Sequence, residues 1–246
     1  MDIKMWNNAI LVSNVVIFFV LTHYFHVNLF LLIGVIVPLD IIALTVFTIF
    51  FNFRKDLKPE PVPRGAFDQR RNDLDMDKAT LDRMGFEKID EFLLKIIPDV
   101  VVYLFRHREV PVYYCLYHMG AKKMWETVSL FDQDVSLTTS MSGDSGNIPL
   151  PPTSLLQVFP DASLQLVLEA HSQAIQFLAS RGYRPVEHSA SQFREDFMTA
   201  YWKTEQRIMS TPIWPVMLVI WVIINRGKMY AKPIEAQYRD GMIKTG

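Results

Sequence analysis

The chain has 246 residues, of which 50% are hydrophobic and 21% charged, with 25 Lys and Arg set against 26 Asp and Glu. A net charge of −1 removes the electrostatic motive for nucleic-acid binding. A lone cysteine, Cys115, excludes an intrachain disulfide and any cysteine-built zinc or iron–sulfur centre. The apolar residues are bunched. From Ala9 to Phe53 the one formal charge is Asp40, a run long enough to cross a bilayer twice at ~20 residues per crossing.

In chain order, the first expected element is a transmembrane helical hairpin, with spans of about 9–25 and 29–53 and a turn in the polar patch Thr22 to Asn28. Trp6 and Tyr24 bracket the first span about one bilayer thickness apart, as interfacial aromatics do. The alternative turn at Gly34 to Pro38 would strand His23, His26 and Asn28 within the membrane. Arg54, Lys55, Lys58, Arg64, Arg70 and Arg71 follow the second span and the turn has no basic residue, so the positive-inside rule places residue 54 onward in the cytoplasm. Asp40 falls at the centre of the second span, where a carboxylate costs roughly 2.5–3.5 kcal/mol on insertion scales. It is expected to make a polar contact with a partner helix or, through the kink at Pro38, within its own helix. A channel or transporter subunit organised around Asp40 is the weaker alternative. His23 and His26 read as polar caps of the turn rather than as ligands.

Residues 54–72 carry Pro59, Pro61 and Pro63 and read as a basic, extended linker along an anionic membrane surface. Residues 73–210 read as a cytoplasmic α+β domain. It begins with a short helix, Leu74 to Met84, stopped by Gly85. Strands follow at Phe92 to Ile97, Val100 to Phe105, Val112 to Met119, Lys122 to Phe131 and Val135 to Met141. Their short connections force an antiparallel meander of four or five strands. Val112 to Met119 is apolar on both faces, which predicts a central strand covered on both sides or an interface on one.

Residues 142–160 read as loop. Two helices come next, Asp161 to Arg181 and Ser189 to Ser210. The first carries Leu164, Val167, Leu168, His171, Ile175 and Leu178 on the face turned to the sheet. The second opens with a capping box, Ser189 to Gln192, and carries Phe193, Phe197, Tyr201 and Ile208. Residues 211–246 read as a hydrophobic membrane-associated helix and a basic tail. The apolar run Ile213 to Ile224 makes ~18 Å of helix, short of the ~30 Å hydrocarbon layer, so it is expected to be re-entrant, to lie at the interface or to dock on the hairpin, with a third span as the alternative. Arg226, Lys228 and Lys232 join Arg54, Lys55, Lys58 and Arg64 as basic contacts to the surface.

Chemistry is sparse. Gly143-Asp144-Ser145-Gly146 matches the tetrapeptide around a serine-protease nucleophile without the upstream His and Asp contexts that family needs. Cys115 and His118 sit at an odd spacing on a strand, which sends them to opposite faces. His171 is the best candidate for a buried polar site, facing the region of Thr138 to Ser140. No catalytic residue, metal ligand or cofactor-binding residue is assigned, and no cofactor is expected. The leading expectation is a membrane-anchored interaction or accessory protein. Its partners are the lipid bilayer and, through the hairpin, another membrane protein or a second copy, with no nucleic acid. The alternative is a membrane-associated enzyme with a site between sheet and helix near His171.

Overall fold

The computed structural model describes residues 40, 43, 57–63, 78–96, 99–119, 122–142, 149–210, 213–225 and 230–243. The chain divides into two units, 1–50 and 51–246. Of the expected hairpin only Asp40 and Ala43 fall among the described residues, and both are helical. Among the described residues no helix is long and apolar enough to cross a membrane.

The second unit is an α+β fold on one mixed seven-stranded sheet. Strands β1 (Phe86–Leu94), β2 (Val100–His107), β3 (Tyr113–Met119), β4 (Lys122–Phe131) and β5 (Ser136–Ser140) pair antiparallel in chain order. The first strand starts at Phe86 rather than at Phe92. Its register shifts between Lys88 and Asp90, and this irregularity breaks the alternation that a strand reading relies on. The stretch 142–160, expected as loop, contains β6 (Ser154–Val158), which pairs parallel to β5. A two-residue strand, β7 (Pro185–Val186), pairs with the end of β4.

Helices α1 (Leu164–Ser180) and α2 (Ala190–Met209) cover opposite faces of the sheet. The Ser163 hydroxyl accepts from Leu166 N to open α1, and Gly182, at φ +93°, follows its end. α2 opens with the reciprocal Ser189–Gln192 capping box. Val101, Tyr103, Phe105, Tyr114 and Leu116 pack under Leu164, Leu168 and Ile175 of α1. Val100, Val102, Leu104, Tyr113, Cys115 and Tyr117 pack under Phe193, Phe197 and Met198 of α2. Strand β3 is thus buried on both faces, which is why its sequence shows no alternation.

Two expectations about the flanks change. The linker does not simply extend away from the domain. Glu60 N donates to Leu93 O (2.9 Å) and Leu93 N to Glu60 O (2.8 Å), so residue 60 adds a bridge to the edge of β1. Leu57 is buried, and Lys95 pairs with Glu60 at 2.7 Å. Covering an edge in this way satisfies backbone groups that would otherwise invite another strand. The C-terminal tail is not free either. After α3 (Trp214–Asn225) the chain returns, and α4 (Ile234–Arg239) enters the core. Fully buried Ile234 joins Leu137, Leu155, Ala174 and Leu178, with Tyr238 against Phe177. The charge count of the tail concealed Ile234, Gln237 and Tyr238, the three residues that fasten it.

If α4 belongs to the core, Ile234→Ala should destabilise the folded unit by roughly 2–5 kcal/mol in chemical denaturation. Ile224→Ala, at an exposed position, should change stability by no more than about 0.5 kcal/mol. Equal small effects would mean that the tail is only loosely attached.

Candidate functional site

The α1 side of the sheet changes character across its width. Under β1 to β3 it is apolar apart from His118 near the end of β3, whereas on β4 to β6 it carries Thr127, Ser129, Thr139 and Gln157, all fully buried. Strand registry sets three of them side by side, with Thr127 opposite Thr139 and Thr139 opposite Gln157. α1 crosses this patch with Val167, His171, Ala174 and Leu178 inward. A buried imidazole needs partners, and His171 has one on each nitrogen: Nδ1 lies 2.7 Å from Thr139 Oγ1, and Nε2 lies 2.9 Å from Ser129 Oγ.

The neighbouring bonds fix which way these protons run. Gln157 Nε2 donates to Thr139 Oγ1 (2.8 Å) and to Ala170 O (3.1 Å), and Ser129 Oγ donates to Pro111 O (3.2 Å). One direction uses every proton once. Thr139 donates to Nδ1, Nε2–H donates to Ser129, and Ser129 passes its own proton to the Pro111 carbonyl. Gln157 Oε1, the remaining end, accepts from Ile234 N at 3.1 Å. The network therefore runs from the β2–β3 turn through α1 to α4. Burial pushes the His171 imidazole down from 6.5 to about 3, so it is neutral at physiological pH.

A cavity of about 610 Å³ lies beside this network. Phe86, Val112 and His171 form its buried floor, while exposed Val110, Gln165, Ser172 and Gln176 stand at its rim. Glu169, a conceivable acid beside His171, instead lies on the exposed face of α1 and accepts from Gln165 Nε2 at 3.0 Å. With both ring nitrogens committed, His171 holds β4, β5 and α1 together.

The other sequence candidates are dispersed. Cys115 faces α2, and its thiol is pushed up by burial. His118 faces the opposite side, edge-on to Tyr103 at 5.5 Å. The Gly143 to Gly146 segment, with Asp144, lies outside the described residues, as do His23, His26, Arg54, Lys55, Arg64, Arg226 and Lys228. Lys58 is exposed. Lys232, expected as a membrane contact, pairs with Asp240 at 2.7 Å and holds that carboxyl below its ordinary value. Asp40 is half-buried in its helix. Among the described residues no group of His, Cys, Asp and Glu could hold a metal ion.

One pair was not anticipated. His188 Nδ1 bonds the Asp196 carboxylate one face-turn along α2, and His188 N and O both bond Tyr113 Oη, at 2.5 and 2.7 Å. The eight-residue spacing across a capping box gave no reason to join His188 to Asp196. These bonds pin the start of α2 to β3.

α3 differs from the other helices in what it leaves outside. Met217, Ile220 and Ile224 are 46%, 41% and 64% exposed and their spacing puts them on one face, while Ile213, just before the helix at φ +53°, is 74% exposed. Leu218 is buried on the other side, and Trp221 packs beside Leu156, Val158 and Tyr230. Both ends of α3 lead into the same folded unit, through α2 before it and α4 after it. Comparison with known proteins finds no match to this chain among family models, curated sequences or solved structures.

The neutral His171 makes stability depend on acid. Its folded-state value lies below the unfolded one, so below pH 6.5 the unfolded chain binds the extra proton and stability falls as pH drops from 6.5 towards 3. The slope should approach one proton. Denaturant midpoints for wild type and His171→Gln, measured from pH 7.5 to 4.5, should converge as the pH falls. Parallel curves would show that His171 does not carry this dependence.

Proposed function

We propose that the protein is a membrane-anchored interaction or accessory protein, whose N-terminal hairpin holds the α+β domain on the cytoplasmic surface of a bilayer. The observation that carries this reading is the apolar face of α3. Three large side chains in one row on a twelve-residue helix, with exposed Ile213 just before it, form the kind of patch that marks contact with a lipid surface or another protein. Because both flanks of α3 belong to one folded unit, the helix enters lipid as a shallow loop, with the domain on one side throughout. The apolar run from Ala9 to Phe53 supplies the stable anchor, and α3 a second point of attachment that sets the domain's attitude to the surface.

The six basic residues from Arg54 to Arg71 support the cytoplasmic orientation and an anionic leaflet as partner. Asp40, the one charge within the anchor, gives the hairpin a polar contact for a helix of another membrane protein or of a second copy. The geometry at His171 favours holding over catalysis, and so favours this reading over an enzyme.

Spin labels test the attachment in the full chain reconstituted into anionic vesicles. Buried Cys115 is unreactive, so single cysteines can be introduced as Met217→Cys, Ile220→Cys and Ile224→Cys, with Gln173→Cys on the exposed face of α1 as the aqueous reference. The three α3 labels should be relaxed by oxygen and shielded from a water-soluble nickel complex, and the label at 173 should show the reverse. Nickel accessibility at 217 and 220 equal to that at 173 would remove α3 from the membrane and leave its face to a protein partner.

A further inference from the structure

The cavity beside His171 has a composition that limits what could occupy it. Its walls come from Met84 and Phe86 at the start of β1, His107 at the end of β2, the β2–β3 turn (Val110 to Val112), one side of α1 and Pro185 of β7. Among the described residues no Lys, Arg, Asp or Glu lines it. Of its two histidines, His171 is neutral with both nitrogens engaged, so it offers the cavity a ring face and no proton. A carboxylate or ammonium group placed there would lose its hydration with no Lys, Arg, Asp or Glu among the described lining residues to offset it.

The walls are also braced before any ligand arrives. Arg108 N donates to Gly85 O at 2.9 Å, and the Arg108 guanidinium pairs with Asp82. His107 packs edge-on to Phe86 at 5.1 Å. A Cβ on Gly85 would come within 2.8 Å of His107 Nε2, so glycine there, at φ +86°, lets the wall close up. On the far side Ser129 joins His171 to Pro111, fixing the floor and the turn to each other. A volume of about 610 Å³ falls within the roughly 300–1,000 Å³ typical of small-molecule sites, which are mostly apolar, few and largely preformed.

We propose that this cavity binds an uncharged, chiefly apolar, lipid-like molecule, such as a long-chain alcohol or the amide or ester of a long-chain acid. The apolar body lies against Phe86, Val112, Leu168 and Ile175. The single polar head meets the Ser172 hydroxyl and the Gln165 and Gln176 amides at the rim. Recognition is by exclusion of charge as much as by fit, and the polar network behind His171 keeps the floor rigid. The site goes beyond surface attachment: the cavity is formed by α1 and the β2–β3 turn, with no residue of α3.

Two photoreactive probes test it on the full chain in phosphatidylcholine nanodiscs: a diazirine-bearing hexadecanol, and hexadecanoic acid carrying the same group. After irradiation, labelled peptides are mapped by mass spectrometry and normalised to total labelling of the chain. The alcohol should label peptides covering 107–112 and 165–176, and the acid should label them at least tenfold less. Ser172→Trp and Val110→Trp, which fill the mouth from opposite lips at exposed positions, should each cut the alcohol's labelling there about tenfold without lowering the thermal midpoint. Retained labelling in whichever variant keeps the wild-type melt, or absence of label from these peptides in wild type, overturns the site. Equal labelling by the acid overturns the assignment to uncharged ligands.

Discussion

Gln157 is the residue through which the C-terminal part of the fold is held. It is the one polar side chain in the Leu155 to Val158 run of β6, fully buried, and each end of its amide is used. The nitrogen reaches back to Thr139 and to the α1 backbone, and the oxygen takes the backbone proton of Ile234. Gln237 repeats the connection from the other side, donating to Leu156 O and Lys232 O at 2.8 and 2.7 Å. An unpaired buried amide costs roughly 1–3 kcal/mol, so sheet, α1 and α4 are obliged to stay together. Without that obligation the tail would be a basic extension and α3 a helix with one loose end.

The display of α3 follows from this clamp. A helix with both ends tied to the same unit can offer an apolar face outward while remaining in register with the domain. Its twelve residues, ~18 Å of helix, fit between those two fixed points. The same clamp passes through Thr139 to His171 and Ser129 and ends at Pro111, so the cavity floor and α4, which follows α3, are supported by one continuous set of bonds. Charge is kept out of that set: the imidazole is neutral, and the other members are hydroxyls, amides and carbonyls.

Much of the fold was legible because it depends on local rules. Short connections imposed the antiparallel order of β1 to β5, Ser189 and Gln192 announced α2, and helical spacing put His171 on the inward face of α1. What was not legible depends on long-range pairing. β6 is five residues behind the prolines at 149, 151 and 152 and owes its existence to a parallel neighbour, which no local pattern specifies. Pro-rich residues 57–63 read as a spacer because prolines cannot donate, yet Glu60 lies between two of them and supplies both its N–H and its C=O to β1. The site was legible as a single histidine. Its partners Ser129 and Gln157, and the cavity beside it, come from elements that meet only in the folded chain.

The central claim is that the domain before and after α3 lies on one side of the membrane. It can be tested by labelling Glu187→Cys and Arg239→Cys with a membrane-impermeant maleimide in sealed vesicles of defined orientation. Both side chains are well exposed, at 60% and 75%. Residue 187 lies before α3 and residue 239 after it. The two sites should be labelled together, in inverted vesicles and not in right-side-out ones. If one is labelled where the other is protected, α3 crosses the bilayer and the clamp through Gln157 does not hold in the membrane-bound protein.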